Sequence, residues 1–168
     1  MIAALRFADR LVGALCKGGA VACLLGLFLL LGSAIVLRLV PLFTIHGYDE
    51  IVELLFIWLV MLTSLALWRE GSLYRVVLFE DLLPVPMRRL LEIGIHAVMF
   101  CFALVLVVYG REFMAMAGET TPFLRLDKGW WYAAIPVTGA LMAVYSLVWI
   151  WRAVRRGETL ESTATLVG

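Results

Sequence analysis

The stretch GGAVACLLGLFLLLGSAIVL, residues 18–37, decides the fold because it is 20 residues long and carries no charge. A helix rises about 1.5 Å per residue and needs roughly 20 apolar residues to cross about 30 Å of hydrocarbon. Three more stretches share this character, namely 51–68 with the single charge Glu53, and 93–110 and 129–151 with none. The sequence therefore predicts an all-α integral membrane protein with four transmembrane helices. Their predicted bounds are about residues 18–38, 50–68, 92–110 and 129–151.

The overall composition agrees with this interpretation. Of the 168 residues, 64% are hydrophobic and 16% are charged, whereas a soluble domain is roughly half apolar and a quarter charged. The formal net charge is only +1. These values exclude a soluble monomer, a disordered chain and a nucleic-acid binder that relies on bulk positive charge.

The basic residues predict the orientation. Ten lie on the side shared by both termini and the second loop, and four lie in the first and third loops. Basic residues accumulate in cytoplasmic loops, so we expect both termini in the cytoplasm. The ten are Arg6, Arg10, Lys17, Arg69, Arg75, Arg88, Arg89, Arg152, Arg155 and Arg156; the four are Arg38, Arg111, Arg125 and Lys128.

The second loop, residues 69–92, mixes leucines and valines with Arg, Glu and Asp. An apolar face beside a charged face is typical of helices that lie on a membrane surface. We therefore expect a short amphipathic interfacial helix here, ended by Pro84 and Pro86. Residues 1–156 are predicted to form one four-helix domain, and residues 157–168 a flexible cytoplasmic tail.

The residues that could carry chemistry are few. Cys16, Cys23 and Cys101 have no metal-ligand spacing, and free cysteines behave as small apolar residues. His96 has only Glu92 at helical spacing, and His46 has no such partner. We predict no catalytic residues, no substrate-binding residues, no metal and no cofactor on this chain, and hence no enzyme.

An acidic cluster at the start of the second span is the exception. Asp49, Glu50 and Glu53 fall on neighbouring turns of one helix face, where the helix dipole favours negative charge. Arg38 ends the first span, across a short loop. The cluster suits docking to another subunit or a structural ion pair with Arg38. The alternatives are a solvated helix entrance and a role in substrate or ion transport.

The order of short motifs resembles the small membrane subunit of tripartite ATP-independent periplasmic (TRAP) transporters. The first is RLVPLF from Arg38, followed by GYDEIVELLFIWLV from Gly47 and ALWREG from Ala66. Leu82-Leu-Pro84, Thr121-Pro-Phe-Leu and KGWWYAAIPVTG from Lys128 complete the pattern. The resemblance covers about residues 18–153. One departure is SLYRVVL from Ser72, where the family commonly has a His-Ile-x-Val-Asp-like run.

The resemblance implies that this chain is a scaffold in the bacterial inner membrane. In that family a periplasmic protein captures an organic anion, and a large multi-span subunit carries the substrate and sodium sites. For this chain it implies a subunit interface or ion pair at Arg38, Asp49, Glu50, Glu53 and Trp58. It also implies binding-protein docking at Arg125, Asp127 and Lys128. The alternative is a stand-alone small membrane protein, either an exporter or the membrane anchor of a redox complex.

Overall fold

The computed structural model describes residues 2–39, 46–71 and 85–156. These residues form four α-helices: α1 (Ile2–Leu39), α2 (Tyr48–Glu70), α3 (Val85–Met116) and α4 (Gly129–Arg156). Within this part of the chain the extended backbone is limited to one isolated bridge between Thr120 and Asp127. Each helix contains a segment long and apolar enough to cross a membrane, which confirms the four predicted spans. Those segments are Asp9–Leu39, Tyr48–Glu70, Ile93–Met116 and Gly129–Arg152.

The helices pack as two antiparallel hairpins rather than as a closed bundle. α1 packs extensively on α2, and α3 packs extensively on α4, while α2 and α4 join the two hairpins. α2 and α4 are therefore the inner helices of the assembly, and α1 and α3 flank them. This openness leaves most of the apolar surface of α1 exposed, including Phe28 and Ile35.

Close helix contact depends on small residues, as expected where lipid removes the hydrophobic drive between helices. Gly110 of α3 faces the Ile135–Pro136 turn of α4, where an added Cβ would lie 2.9 Å from the Pro136 ring. Gly139 of α4 faces Leu106 of α3 at 3.0 Å by the same measure. Gly26 of α1 likewise faces Leu55 of α2. Small residues thus set the spacing within both hairpins.

The core lies where both hairpins meet, toward the end of the molecule that carries both termini. Its buried side chains come from all four helices: Cys16, Leu65, Trp68, Ala103, Met142 and Ala143. Trp68 of α2 stacks on Phe102 of α3 with ring centroids 6.4 Å apart. Its indole N–H also donates a hydrogen bond of 3.1 Å to the Ser146 hydroxyl of α4. One tryptophan therefore ties α2 to both helices of the second hairpin.

Two predictions lie largely or wholly outside the described residues. The amphipathic helix expected between the second and third spans falls mostly on residues 72–84, and the expected flexible tail is 157–168. The orientation of the termini also stays a prediction. The helices are longer than the predicted spans, since α1 begins at Ile2 and not near residue 18. The charged residues among positions 2–17 shorten the apolar stretch. They do not interrupt the helix, because this segment is rich in alanine, leucine and arginine, which are good helix formers.

Candidate functional site

The acidic cluster at the start of α2 lies beside the loop that joins α3 to α4. The Glu50 carboxylate is buried and accepts hydrogen bonds from the backbone N–H groups of Phe123 (2.9 Å) and Leu124 (3.0 Å). Gly47 precedes the helix with a φ of 81°, in the left-handed region that favours glycine. A Cβ there would lie 2.9 Å from the Phe123 Cβ. Glycine at this position therefore lets the loop approach α2 closely enough to reach Glu50.

The loop, residues 117–128, has an internal framework of its own. The backbone N–H of Thr121 donates to the Leu126 carbonyl at 2.8 Å, and the Leu126 N–H donates to the Thr121 hydroxyl at 3.0 Å. Arg125 adopts a positive φ of 53° at the turn. Phe123 is 64% exposed, and Leu124 and Leu126 are also exposed. The result is a compact loop whose middle is held to Glu50 by its backbone, while the apolar side chains of Phe123 and Leu124 stay exposed.

The three residues predicted to dock a binding protein all lie in this loop, but two of them have structural partners within it. The Asp127 carboxylate accepts a hydrogen bond of 2.7 Å from the Gly129 N–H at the start of α4. Lys128 forms an ion pair of 3.3 Å with Glu119. Arg125 is exposed and makes no ion pair within the described part of the chain. Arg125 is therefore the most available of the three for an external partner.

The remaining predicted interface residues are divided between free and engaged side chains. Arg38, Asp49 and Glu53 are exposed, and within residues 2–39, 46–71 and 85–156 none of them forms an ion pair. The Trp58 indole N–H donates to the Trp130 carbonyl at 3.2 Å and so links α2 to α4. The structure therefore does not join Arg38 to the acids, whereas Glu50 and Trp58 contact the second hairpin. A role for the group in a subunit interface stays a prediction.

A second polar cluster lies at the opposite end of α2, and the sequence did not single it out. Arg69 donates two hydrogen bonds to the Asp9 carboxylate, at 2.7 and 2.6 Å. The Tyr145 hydroxyl donates to the same carboxylate at 2.9 Å. The Arg69 side chain is only 14% exposed, and that of Asp9 is 41% exposed. This cluster, Asp9–Arg69–Tyr145, joins α1, α2 and α4.

The Asp9–Arg69–Tyr145 cluster explains a close contact at Gly13. A Cβ at Gly13 would lie 2.5 Å from a terminal guanidinium nitrogen of Arg69, so glycine leaves space for the buried side chain. One turn further along α1, Lys17 forms an ion pair of 2.5 Å with Glu70. The only available sequence signal was Asp9 itself, the sole acidic residue before the first span. Its partners are 60 and 136 positions away, which no local pattern reveals.

Neither cluster resembles a metal or redox centre. In the described residues no group of three His, Cys, Asp or Glu side chains is placed to hold a metal ion. Cys16 is buried in the core, Cys23 is partly buried and Cys101 is exposed, and all three are free thiols. The polar groups of both clusters join helices and loops to one another.

Comparison with known families decides the identity. The model of the family described as "Tripartite ATP-independent periplasmic transporters, DctQ component" matches residues 27–156. The chain belongs to the DctQ family. It is a small component of a TRAP transporter and a multi-pass membrane protein, as the motif resemblance predicted. A comparison with curated proteins finds no match.

The two polar clusters differ in whether all of their residues lie within the DctQ match. Glu50 and the loop that it holds lie inside the matched residues 27–156, as do Arg69 and Tyr145. Asp9 precedes the match. The carboxylate of the Asp9–Arg69–Tyr145 cluster therefore comes from the N-terminal part of α1, outside the residues that the DctQ model matches.

Proposed function

We propose that this chain is the scaffold subunit of a TRAP transporter in the bacterial inner membrane, with both termini in the cytoplasm. It packs against a large multi-span subunit that performs sodium-coupled uptake of an organic anion delivered by a periplasmic binding protein. The observation that carries the proposal is the DctQ match over residues 27–156. In this proposal the sodium and substrate sites belong to the large subunit.

The open packing of the helices supports a scaffold role. The other helices cover little of the surface of α1. Large apolar side chains of α1 are exposed from Val21 to Val36. Lipid or a partner helix can cover such a surface, because both are apolar. Neither polar cluster of the described residues is placed at mid-membrane on a broken helix, the usual setting of a transport site. This arrangement favours a subunit that supports transport without binding the substrate.

Exposed charges at the outward ends of α1 and α2 are proposed to contact the large subunit. Arg38, Asp49 and Glu53 are exposed, and charges held near a membrane boundary without an internal partner are available for an ion pair in the complex. Arg125, Asp127 and Lys128 are proposed to face the binding protein. The hydrogen bonds that the loop N–H groups of Phe123 and Leu124 donate to Glu50 support this assignment, because they hold the loop against α2.

Co-purification tests the scaffold proposal. Tagged chain, co-expressed with the large membrane subunit of the same transporter and extracted in mild detergent, is expected to retain that subunit. The purified chain alone in liposomes is expected to show no sodium-driven uptake of organic anions. Failure to retain the subunit would contradict the scaffold role, and uptake by the chain alone would replace it with a transporter role.

Charge reversal tests the proposed interface. Arg38→Glu is expected to lower recovery of the large subunit, whereas Arg111→Glu is the matched control, since Arg111 is also exposed near the outward end of a helix. Adding Glu53→Lys to Arg38→Glu is expected to restore part of the recovery if the two charges act together. Equal recovery with Arg38→Glu and with the control would remove Arg38 from the interface.

A further inference from the structure

Arg152 lies at the inner end of the apolar segment of α4, as the last residue of the span Gly129–Arg152. Its guanidinium carbon is 5.7 Å from the centroid of the Trp149 ring, a cation–π arrangement. Trp149 in turn stacks on His96 of α3, with ring centroids 5.8 Å apart and planes 3° from parallel. His96 is almost fully buried. The guanidinium therefore rests on an aromatic stack that is anchored between α3 and α4.

Arg152 differs from Arg69 and Lys17, the two ion-paired cations described at this end of the helices. Arg69 is paired with Asp9, and Lys17 with Glu70, but Arg152 has no ion pair among the described residues. Asp9 lies within electrostatic reach of Arg152. However, both Asp9 oxygens already accept hydrogen bonds from Arg69. Arg152 is thus an oriented, partly buried cation that forms no ion pair with the described residues.

An apolar track leads from this cation along α4 toward the middle of the membrane. Val148 and Val144 lie one and two turns before Arg152, on the same face of the helix. Val144 is 57% exposed and Val148 is 37% exposed. Trp151 is also half exposed, as aromatic side chains at a headgroup level commonly are. A cation at the membrane boundary followed by an exposed apolar track matches the headgroup and acyl chain of one molecule.

We propose that Arg152, together with Trp149 and the track Val144–Val148, binds an anionic phospholipid. The guanidinium donates hydrogen bonds to the phosphodiester oxygens, for which its planar fork is well suited. One acyl chain lies along Val148 and Val144. Basic positions between membrane helices are known to hold acidic lipid headgroups. A free phosphate ion or a protein carboxylate would use Arg152 but not the track.

Lipid titration of the purified full-length chain, followed by native mass spectrometry, tests this proposal. The probes are phosphatidylglycerol and phosphatidylcholine with identical acyl chains. Wild-type protein is expected to retain phosphatidylglycerol in preference to phosphatidylcholine. Arg152→Gln is expected to lower phosphatidylglycerol retention about fivefold, the factor that corresponds to one basic residue at an anionic membrane surface. Phosphatidylcholine retention should stay unchanged.

Further variants separate this site from general surface charge. Arg10→Gln is the matched control, since Arg10 is an exposed arginine of α1, and it should retain phosphatidylglycerol as the wild type does. Val148→Ser should lower retention of both lipids, because it makes the track polar. Arg152→Lys should give intermediate retention, since it keeps the charge but not the planar fork. Circular dichroism of each variant checks that the helices are intact.

Several outcomes would overturn the proposal. Equal phosphatidylglycerol retention by Arg152→Gln and wild type would do so, as would equal retention of the two lipids by wild type. Displacement of phosphatidylglycerol by millimolar inorganic phosphate would indicate a free-anion site. If Arg152→Gln kept the lipid but lost the co-purified large subunit, Arg152 would be a protein contact instead.

Discussion

The two ends of α2 are both fastened by a carboxylate, but in different ways. At the N-terminal end, Glu50 belongs to α2 and accepts hydrogen bonds from two backbone N–H groups of the loop between α3 and α4. At the C-terminal end, Asp9 belongs to α1 and accepts hydrogen bonds from the side chains of Arg69 of α2 and Tyr145 of α4. The first contact uses backbone donors of the loop, which every residue except proline carries. The second requires three particular side chains.

This difference matters because apolar contacts alone discriminate poorly between helix–helix and helix–lipid packing within a membrane. Lipid tails are as apolar as leucine, so helix association depends on close packing and polar contacts. The Asp9–Arg69–Tyr145 cluster fixes three helices against one another, whereas Glu50 fixes a loop on one helix. Loss of the Asp9–Arg69–Tyr145 contacts should therefore affect global stability, and loss of the Glu50 contact should affect local order.

The largest effect is expected for Arg69→Gln. This substitution leaves the Asp9 carboxylate with Tyr145 as its remaining donor in the cluster, and breaking a buried pair costs about 3–5 kcal/mol. Because Asp9 is 41% exposed, we expect a smaller loss, about 1–3 kcal/mol. The measurement is the midpoint of thermal unfolding in detergent.

Arg10→Gln is the control for this experiment, since Arg10 is exposed on the same end of α1 and should change the midpoint little. The double variant Asp9→Asn, Arg69→Gln should lose less stability than the sum of the two single variants, because it removes both charges together. If the stability losses of the two single variants add up to that of the double variant, Asp9 and Arg69 contribute no coupling energy. The proposed difference between the two ends of α2 would then be wrong.

An intermediate and local effect is expected for Glu50→Gln. The substituted amide keeps one acceptor oxygen but loses the charge that strengthens both hydrogen bonds. Amide hydrogen exchange at Phe123 and Leu124 should then accelerate by roughly tenfold, while exchange in the middle of α2 and α4 stays as in the wild type. Glu53→Gln, an exposed acid one turn later, is the matched control. Acceleration spread over all four helices would show that Glu50 supports the whole fold.

The smallest effect is expected for Lys17→Gln. Lys17 pairs with Glu70 close to the Asp9–Arg69–Tyr145 cluster, but its side chain is 63% exposed. Exposed ion pairs contribute about 0–1 kcal/mol, so the unfolding midpoint should shift far less than with Arg69→Gln. The same measurement at higher salt should leave this small difference unchanged or reduce it. A loss as large as that of Arg69→Gln would mean that burial does not distinguish the two pairs.

Much of the fold follows from local sequence, because a membrane span is a local property. Residues 18–37 predict a spanning helix on length and apolarity alone, and the structure confirms it. The helix α1 itself extends beyond the predicted span, to Ile2. The apolar stretch is preceded by charged residues, among them Arg6, Asp9 and Arg10. These charges do not end the helix, because the hydrogen bonds of a helix backbone are all local.

The partners of the polar groups were harder to predict. The acids of α2 and Arg38 are close in sequence, and this proximity suggested an ion pair that the described residues do not form. Glu50 instead contacts residues 73 and 74 positions away. Spacing along one helix predicts which side chains share a face, but not which distant segment packs against that face.

The sequence by itself determined four membrane-spanning helices and, through the order of its motifs, membership of the DctQ family. Both are encoded locally, in apolar length and in short runs of residues. Only the tertiary structure decided that two hairpins meet through α2 and α4, that Glu50 holds a loop and that Asp9 joins three helices. The physical reason is that hydrogen bonds demand specific distances and angles, which arise only when helices distant in sequence are packed together.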